Sequence, residues 1–177
     1  MKRMLWILNP HAGRGAMSGK IIGCVTAFQQ AGYDVTIYIT QGAQDATRVA
    51  RERAGEFDRI VCAGGDGTLN EVITGLMQAE TRPVLGYVPA GTTNDFAFSL
   101  GISKVPAEAA VIAAGDTLQA LDIGRFNDRY FNYVAAFGAF TEASYSTPQP
   151  SKQVFGRTAY IVEGIKSLQN LRPWHIR

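Results

Sequence analysis

Charge of either sign is scarce and balanced in this chain: 17 Lys and Arg face 15 Asp and Glu, a formal net charge of +2 spread along 177 residues. A nucleic-acid surface needs basic residues massed on one face or segment, so no nucleic-acid partner is expected. Cysteine is almost absent. Cys24 and Cys62 have neither CxxC spacing nor histidine neighbours, which argues against a metal site or a disulfide framework and reads as two reduced core thiols of a cytoplasmic protein. Long apolar runs are missing as well. Nothing approaches the ~18–20 residues that cross a bilayer. The apolar stretch at the start stops at Asn9-Pro10, short of the ~7–15-residue core of a signal peptide. What remains open is contact with a membrane at its surface.

Glycine, by contrast, occurs at 19 positions, and 46% of the chain is hydrophobic, enough for a packed core and too much for disorder. Apolar and β-branched runs predict strands over 4–8, 35–40, 59–63 and 84–88. Between them, helical spacing predicts helices over about 17–31, 45–54 and 68–77, and a short one over 95–100. Alternating β and α elements with short connections predict an α/β fold, a Rossmann-like parallel sheet covered on both faces, with ligands outside the carboxyl ends of the strands. After about residue 115 the rhythm changes. Strand-like runs over 118–124 and 130–138, joined around Asn127-Asp128, predict an antiparallel hairpin, and a helix is expected over 155–171 after a loop with Pro148 and Pro150. The expected organisation is a nucleotide-binding domain over 1–115 and the incomplete start of a β-rich domain over 116–177.

Three glycine-bearing loops each follow a predicted strand. The first, Asn9-Pro10-His11-Ala12-Gly13-Arg14-Gly15, only approaches a dinucleotide fingerprint, because Ser18 replaces the last glycine and no acidic residue follows the second strand. It also lacks the Walker A spacing. The second, Gly64-Gly65-Asp66-Gly67-Thr68-Leu69-Asn70-Glu71, carries the strongest signal. Glycines let backbone N–H groups approach a phosphate, and the helix that follows adds free donors and the positive end of its dipole. Asp66 would repel a phosphate unless a divalent cation stood between them, which points to Mg2+ with a nucleotide polyphosphate. Thr68 and Glu71 also have capping-box spacing, so both are expected to serve the helix start. The third loop, Pro89-Ala90-Gly91-Thr92-Thr93-Asn94-Asp95, places Asp95 beside Asp66 at neighbouring strand ends. Asp122, in Leu121-Asp122-Ile123-Gly124, adds a third acidic residue.

These residues resemble a known family. Asn9-Pro10-x-x-Gly13, Gly64-Gly65-Asp66-Gly67-Thr68-Leu69-Asn70-Glu71-Val72 and Pro89-x-Gly91-Thr92-x-Asn94-Asp95-Phe96-Ala97 are similar to three signatures of the diacylglycerol kinase catalytic-domain family, in its bacterial soluble lipid kinase branch. Gly-Gly-Asp-Gly alone is shared with NAD kinases and phosphofructokinases; the third signature is what points to lipid kinases. The resemblance implies a kinase that moves the γ-phosphoryl group of ATP, with Mg2+, to the hydroxyl of a lipid such as diacylglycerol at a membrane surface. It places nucleotide contacts at Asn9, Pro10, Gly13, Thr40, Gly65, Asp66, Gly67, Thr68, Leu69, Asn70, Glu71 and Thr92. Asp66, Asp95 and Asp122 are the candidate catalytic and Mg2+-linked carboxylates. A homodimer is left open.

The family pattern continues into a β-rich lobe whose acidic motif includes the general base. Nothing after Arg125 matches it, since Asp128 and Glu142 stand alone. The expectation is therefore that this chain binds nucleotide weakly or does not turn over lipid at all, because the acidic general-base motif is missing. A relative of NAD kinases and a non-catalytic nucleotide-binding module are the alternative readings.

Overall fold

A computed structural model describes residues 1–15 and 17–134. Along the chain lie strand β1 (Lys2–Leu8), helix α1 (Ile21–Gln30), β2 (Tyr33–Ile39), α2 (Asp45–Arg53), β3 (Arg59–Gly64), α3 (Asp66–Gln78), β4 (Val84–Pro89), α4 (Asp95–Ser99), α5 (Pro106–Ala114), β5 (Gly124–Phe126) and β6 (Arg129–Phe131). The first four strands form one parallel sheet in the order β2-β1-β3-β4. The α/β class with a parallel sheet is thus what the structure shows.

The apolar run in β1 explains its central place. Met4 to Leu8 are all buried, none more than 3% exposed, as expected of a strand covered on both faces. Met4, Trp6 and Leu8 pack with Cys24 and Phe28 of α1 and with Ala109, Ala110 and Ala113 of α5. Leu5 and Ile7 point the other way, onto Val49 of α2 and Leu69, Val72 and Leu76 of α3. Trp6 meets Phe28 edge to face, with ring centroids 5.3 Å apart, an arrangement favoured by the ring quadrupoles and worth ~0.5–1.5 kcal/mol beyond simple burial. Both cysteines are free and buried.

Helix α5 is absent from the sequence expectations. Pro106 sits in its first turn, where a missing N–H costs nothing. Its C-terminal end rests on β4 at Gly86, where a Cβ would stand 2.7 Å from the Ala113 carbonyl. Buried Arg59 donates from Nη1 to that same carbonyl at 2.5 Å, a cation placed where the helix dipole favours one.

The hairpin forms around Asn127 at φ 52°, with β5 and β6 antiparallel and each three residues long. The strand expected over 118–124 is mostly unpaired coil, and only Gly124 enters the ladder. Phe96 packs in the core as expected of α4, while Phe98 is 76% exposed. The expectations over 135–177, including the helix over 155–171, lie outside the described residues. Among the described residues, no helix is long and apolar enough to cross a membrane.

Two consequences are measurable. Gly75 of α3 lies against the Thr47 carbonyl and Ala50 of α2, so an added methyl has no room. Gly75→Ala should destabilise the chain by about 1–3 kcal/mol in urea unfolding, despite the ~1 kcal/mol of helix propensity it gains; equal or greater stability would refute this close crossing. At the start of α2, the Asp45 carboxylate accepts the Gln41 N–H at 2.9 Å, and Arg48 and the Tyr38 hydroxyl also donate to it. These contacts, the Gln41 N–H foremost, hold its carboxyl below the usual carboxylate range against the opposing effect of burial. A depressed folded value means that the stabilisation is present above the unfolded pKa, near ~4, and is lost as pH falls through the folded value. The stability gap between the parent and Asp45→Asn should therefore be widest near neutrality and shrink below about pH 4, as followed by thermal melts across pH.

Candidate functional site

The chain leaves β1 towards β2 on one side of the sheet and leaves β3 towards β4 on the other. The carboxyl ends of β1 and β3 therefore flank the point where the winding reverses, the crevice in which open α/β sheets take ligands. Asn9 spans it. Its backbone N–H donates to the Ala63 carbonyl at 2.9 Å. Its side-chain Nδ2 donates to Thr68 Oγ1 at 2.9 Å, and its Oδ1 accepts the His11 N–H at 2.9 Å. Pro10 is half-buried beside it, and the turn that follows puts Gly13 at φ 53°, a left-handed conformation cheap only for glycine. Thr40, at the end of β2, is buried and donates its N–H to the Leu8 carbonyl at 2.9 Å.

The second loop is tighter than its sequence implies. Helix α3 begins at Asp66, two residues before the expected start, and no side chain caps it. The capping box between Thr68 and Glu71 does not form, because with Gly65 as the cap Thr68 lies inside the first turn of α3; its hydroxyl accepts from Asn9 instead. The first N–H groups of α3, from Asp66 to Thr68, thus open its amino end, where a helix has no acceptors of its own. Gly65 and Gly91 bring the second and third loops into backbone contact: a Cβ on Gly91 would stand 2.5 Å from the Gly65 Cα, and one on Gly65 would stand 3.2 Å from the Gly91 Cα.

The third loop is tied back in three ways. Ala90 donates its N–H to the Gly64 carbonyl at 2.8 Å. Asn94, at φ 55°, closes the loop on itself, with Oδ1 accepting the Gly91 N–H at 2.8 Å and Nδ2 donating to the Gly91 carbonyl at 2.9 Å. Asp66 then reaches across: its carboxylate accepts the N–H groups of Asp95 at 3.1 Å and Phe96 at 3.2 Å. In effect Asp66 caps α4 from the start of α3. Asn94 is missing from the sequence candidates, although an asparagine just before a helix, tolerant of positive φ, is a readable signal.

The remaining candidates divide. Gly67, Thr92 and Asp95 are exposed at the loop surface. Leu69 is buried in the core, so its side chain holds the helix down. Asn70 is half-buried, and its Oδ1 has no partner among the described residues. Glu71 is half-buried, and its backbone carbonyl accepts the Thr47 hydroxyl at 3.0 Å. Asp122 lies on the exposed coil before β5 and makes no hydrogen bond among the described residues. The structure therefore brings Asn9, Thr68, Gly65, Asp66, Gly91 and Asp95 together and leaves Asp122 unconnected to them. Among the described residues, no group of three or more His, Cys, Asp or Glu stands close enough to hold a metal ion.

Comparisons agree with this geometry. Residues 3–126 match the diacylglycerol kinase catalytic domain. The chain is 42% identical over 182 residues to a diacylglycerol kinase of Bacillus subtilis (strain 168), covering 99% of this chain and 59% of that protein. It is 36% identical over 178 residues to one of Staphylococcus aureus (strain JH9), covering 99% of this chain and 56% of that protein. A crystal structure of a diacylglycerol kinase from Bacillus anthracis str. Sterne superposes with a TM-score of 0.68 at 35% identity, over 73% of this chain and 49% of that one. The chain spans less than two thirds of the length of these curated relatives. With the three glycine-bearing loops converging at one end of a parallel sheet, and with this match over most of its length, the chain belongs to the diacylglycerol kinase catalytic-domain family.

Proposed function

We propose that this chain is the nucleotide-binding part of an ATP- and Mg2+-dependent lipid kinase. On this reading residues 1–115 bind the nucleotide and residues 116–177 open a β-rich domain for the lipid. The observation that carries it is the backbone contact of the second and third loops at Gly65 and Gly91, with Asp66 bridging them beside the open amino end of α3. Relatives that bear the name diacylglycerol kinase support the lipid acceptor.

The roles follow from chemistry. N–H groups from Gly65 to Thr68 suit phosphate oxygens, because they are free donors at the positive end of a helix dipole. Asn9, Pro10, Gly13 and Thr40 line the neighbouring strand ends and suit the rest of the nucleotide, and Thr92 offers a hydroxyl from the third loop. Asn70 and Glu71 continue the α3 face next to this mouth, and Leu69 anchors it. Asp66 and Asp95 bring two carboxylate-bearing residues to one junction. That suits Mg2+, which takes one or two protein carboxylates and completes its shell with phosphate and water. Asp122, on the exposed coil before β5, is left apart from this junction. When bound, Mg2+ would neutralise charge on the transferring phosphoryl group.

Transfer forms a bond between the lipid hydroxyl oxygen and the γ-phosphorus and breaks the bond from that phosphorus to the β,γ-bridging oxygen. ADP departs and the hydroxyl proton is released. With diacylglycerol the product is phosphatidate. Such reactions depend on alignment and charge neutralisation, which is what a glycine-lined, backbone-built cradle supplies. The acceptor would be met at the cytoplasmic membrane surface.

The test is calorimetric. ATP with Mg2+ should bind the chain more tightly than ATP in chelator. Asp66→Asn keeps one of the two oxygens that bond α4, so α4 should loosen but the sheet remain folded, while the Mg2+-dependent affinity falls about tenfold or more, the worth of one charge-assisted contact. Equal affinity in parent and variant would sink the role of Asp66, and no ATP binding by the parent would sink the whole reading. Where any transfer is detectable, label from ATP should reach diacylglycerol in mixed micelles in preference to NAD.

A further inference from the structure

We propose that Tyr87, a residue of β4 that belongs to none of the three loops, is a positioning residue that sets the spacing of the second and third loops for Mg2+·ATP. This inference rests on the nucleotide-binding reading above and goes beyond it by naming a residue outside the glycine loops.

Tyr87 pairs with Cys62 in the sheet and packs among the residues on the α2 and α3 side. From there its hydroxyl rises to the loops, 3.1 Å from the Gly64 carbonyl and 3.4 Å from Asn94 Oδ1. Each acceptor already holds another donor. The Gly64 carbonyl takes the Ala90 N–H, and Asn94 Oδ1 takes the Gly91 N–H. One phenolic proton therefore sits between the last residue of β3 and the asparagine that closes the third loop. Next to this point, Gly65 touches Gly91 and Asp66 caps α4.

Burial, with lesser contributions from Cys62 and Asp66, pushes the Tyr87 phenol well above its ordinary value. It therefore stays a neutral donor throughout the working range of pH. Because both acceptors keep their other donor, removing the hydroxyl orphans neither of them. What is lost is the tie from the body of β4 to both loops at once, and the groups that tie aligns are Gly65, Asp66, Thr92 and Asp95. Its hydroxyl bonds Gly64 and Asn94, neither of them a proposed nucleotide contact, so its effect on binding has to pass through loop spacing.

The experiment compares parent, Tyr87→Phe and Val49→Ala by calorimetric titration with ATP and Mg2+, by thermal melts, and by amide exchange. Val49 is a buried core residue of α2 that belongs to none of the three loops, and its truncation serves as a purely structural lesion. Tyr87→Phe should weaken Mg2+·ATP binding roughly three- to tenfold, as expected for one buried hydrogen bond. Its melting temperature should drop by only a few degrees, and the Asp95 and Phe96 amides should exchange faster while those of β1 do not. Val49→Ala should melt lower and bind as the parent does. Tyr87→Phe binding like the parent would overturn the inference and leave the nucleotide site standing. Equal weakening in Val49→Ala would also overturn it, because the effect would then track general stability. If the parent itself fails to bind, the functional reading falls and this inference falls with it.

Discussion

From Met4 to Leu8, strand β1 has no side facing water, and the rest of the molecule follows from that. A strand with five successive buried residues must have helices above and below it. Helices on both faces require the chain to cross from strand to strand in one direction on one side of β1 and in the opposite direction on the other. The reversal leaves a crevice at the carboxyl ends of β1 and β3, and all three glycine-bearing loops open there. The candidate site is therefore a by-product of how a very apolar strand is hidden.

Within the crevice the decisive geometry is made by backbone. Gly65 and Gly91 remove the side chains that would hold the loops apart, and the Ala90 N–H bonds to Gly64 as if β3 and β4 continued one residue further. Side chains then fix what the backbone brings near: Asn9 joins the first loop to the second, and Asp66 joins the second to the third. Each of these bridges satisfies a polar group that would otherwise be half-buried without a partner.

Much of this was legible in advance, for physical reasons that differ by element. β1 and β3 announce themselves as short apolar runs ending in glycine or Asn-Pro, and the parallel sheet follows from their alternation with helices. Helix α5 escapes because its pattern is inverted: the buried face is Ala109, Ala110, Ala113 and Ala114, while Val111 and Ile112 face outward. Close packing against Gly86 needs small residues, so bulk does not mark the core there. The capping box at Thr68 fails as an inference because the helix starts two residues earlier, after Gly65, and the Thr68 hydroxyl, inside the first turn, accepts from Asn9, 59 positions away. The hairpin at Asn127 is readable from its turn, but the length of its strands depends on neighbours that a local pattern does not reveal. The pairing of Asp66 with Asp95 could be anticipated from adjacent strand ends, whereas nothing local indicated that Asp66 would lend its oxygens to the backbone of α4.

That last arrangement makes Asp66 a shared resource. Helix α4 is only five residues long and draws two of its first N–H bonds from a carboxylate outside itself. On the proposed reading, a cation on one of those oxygens would share it with α4 and weaken that bond, and a change that frays α4 would free the carboxylate for the cation. Occupancy of the site and order in α4 are thus thermodynamically linked, each altering the other by the same free energy.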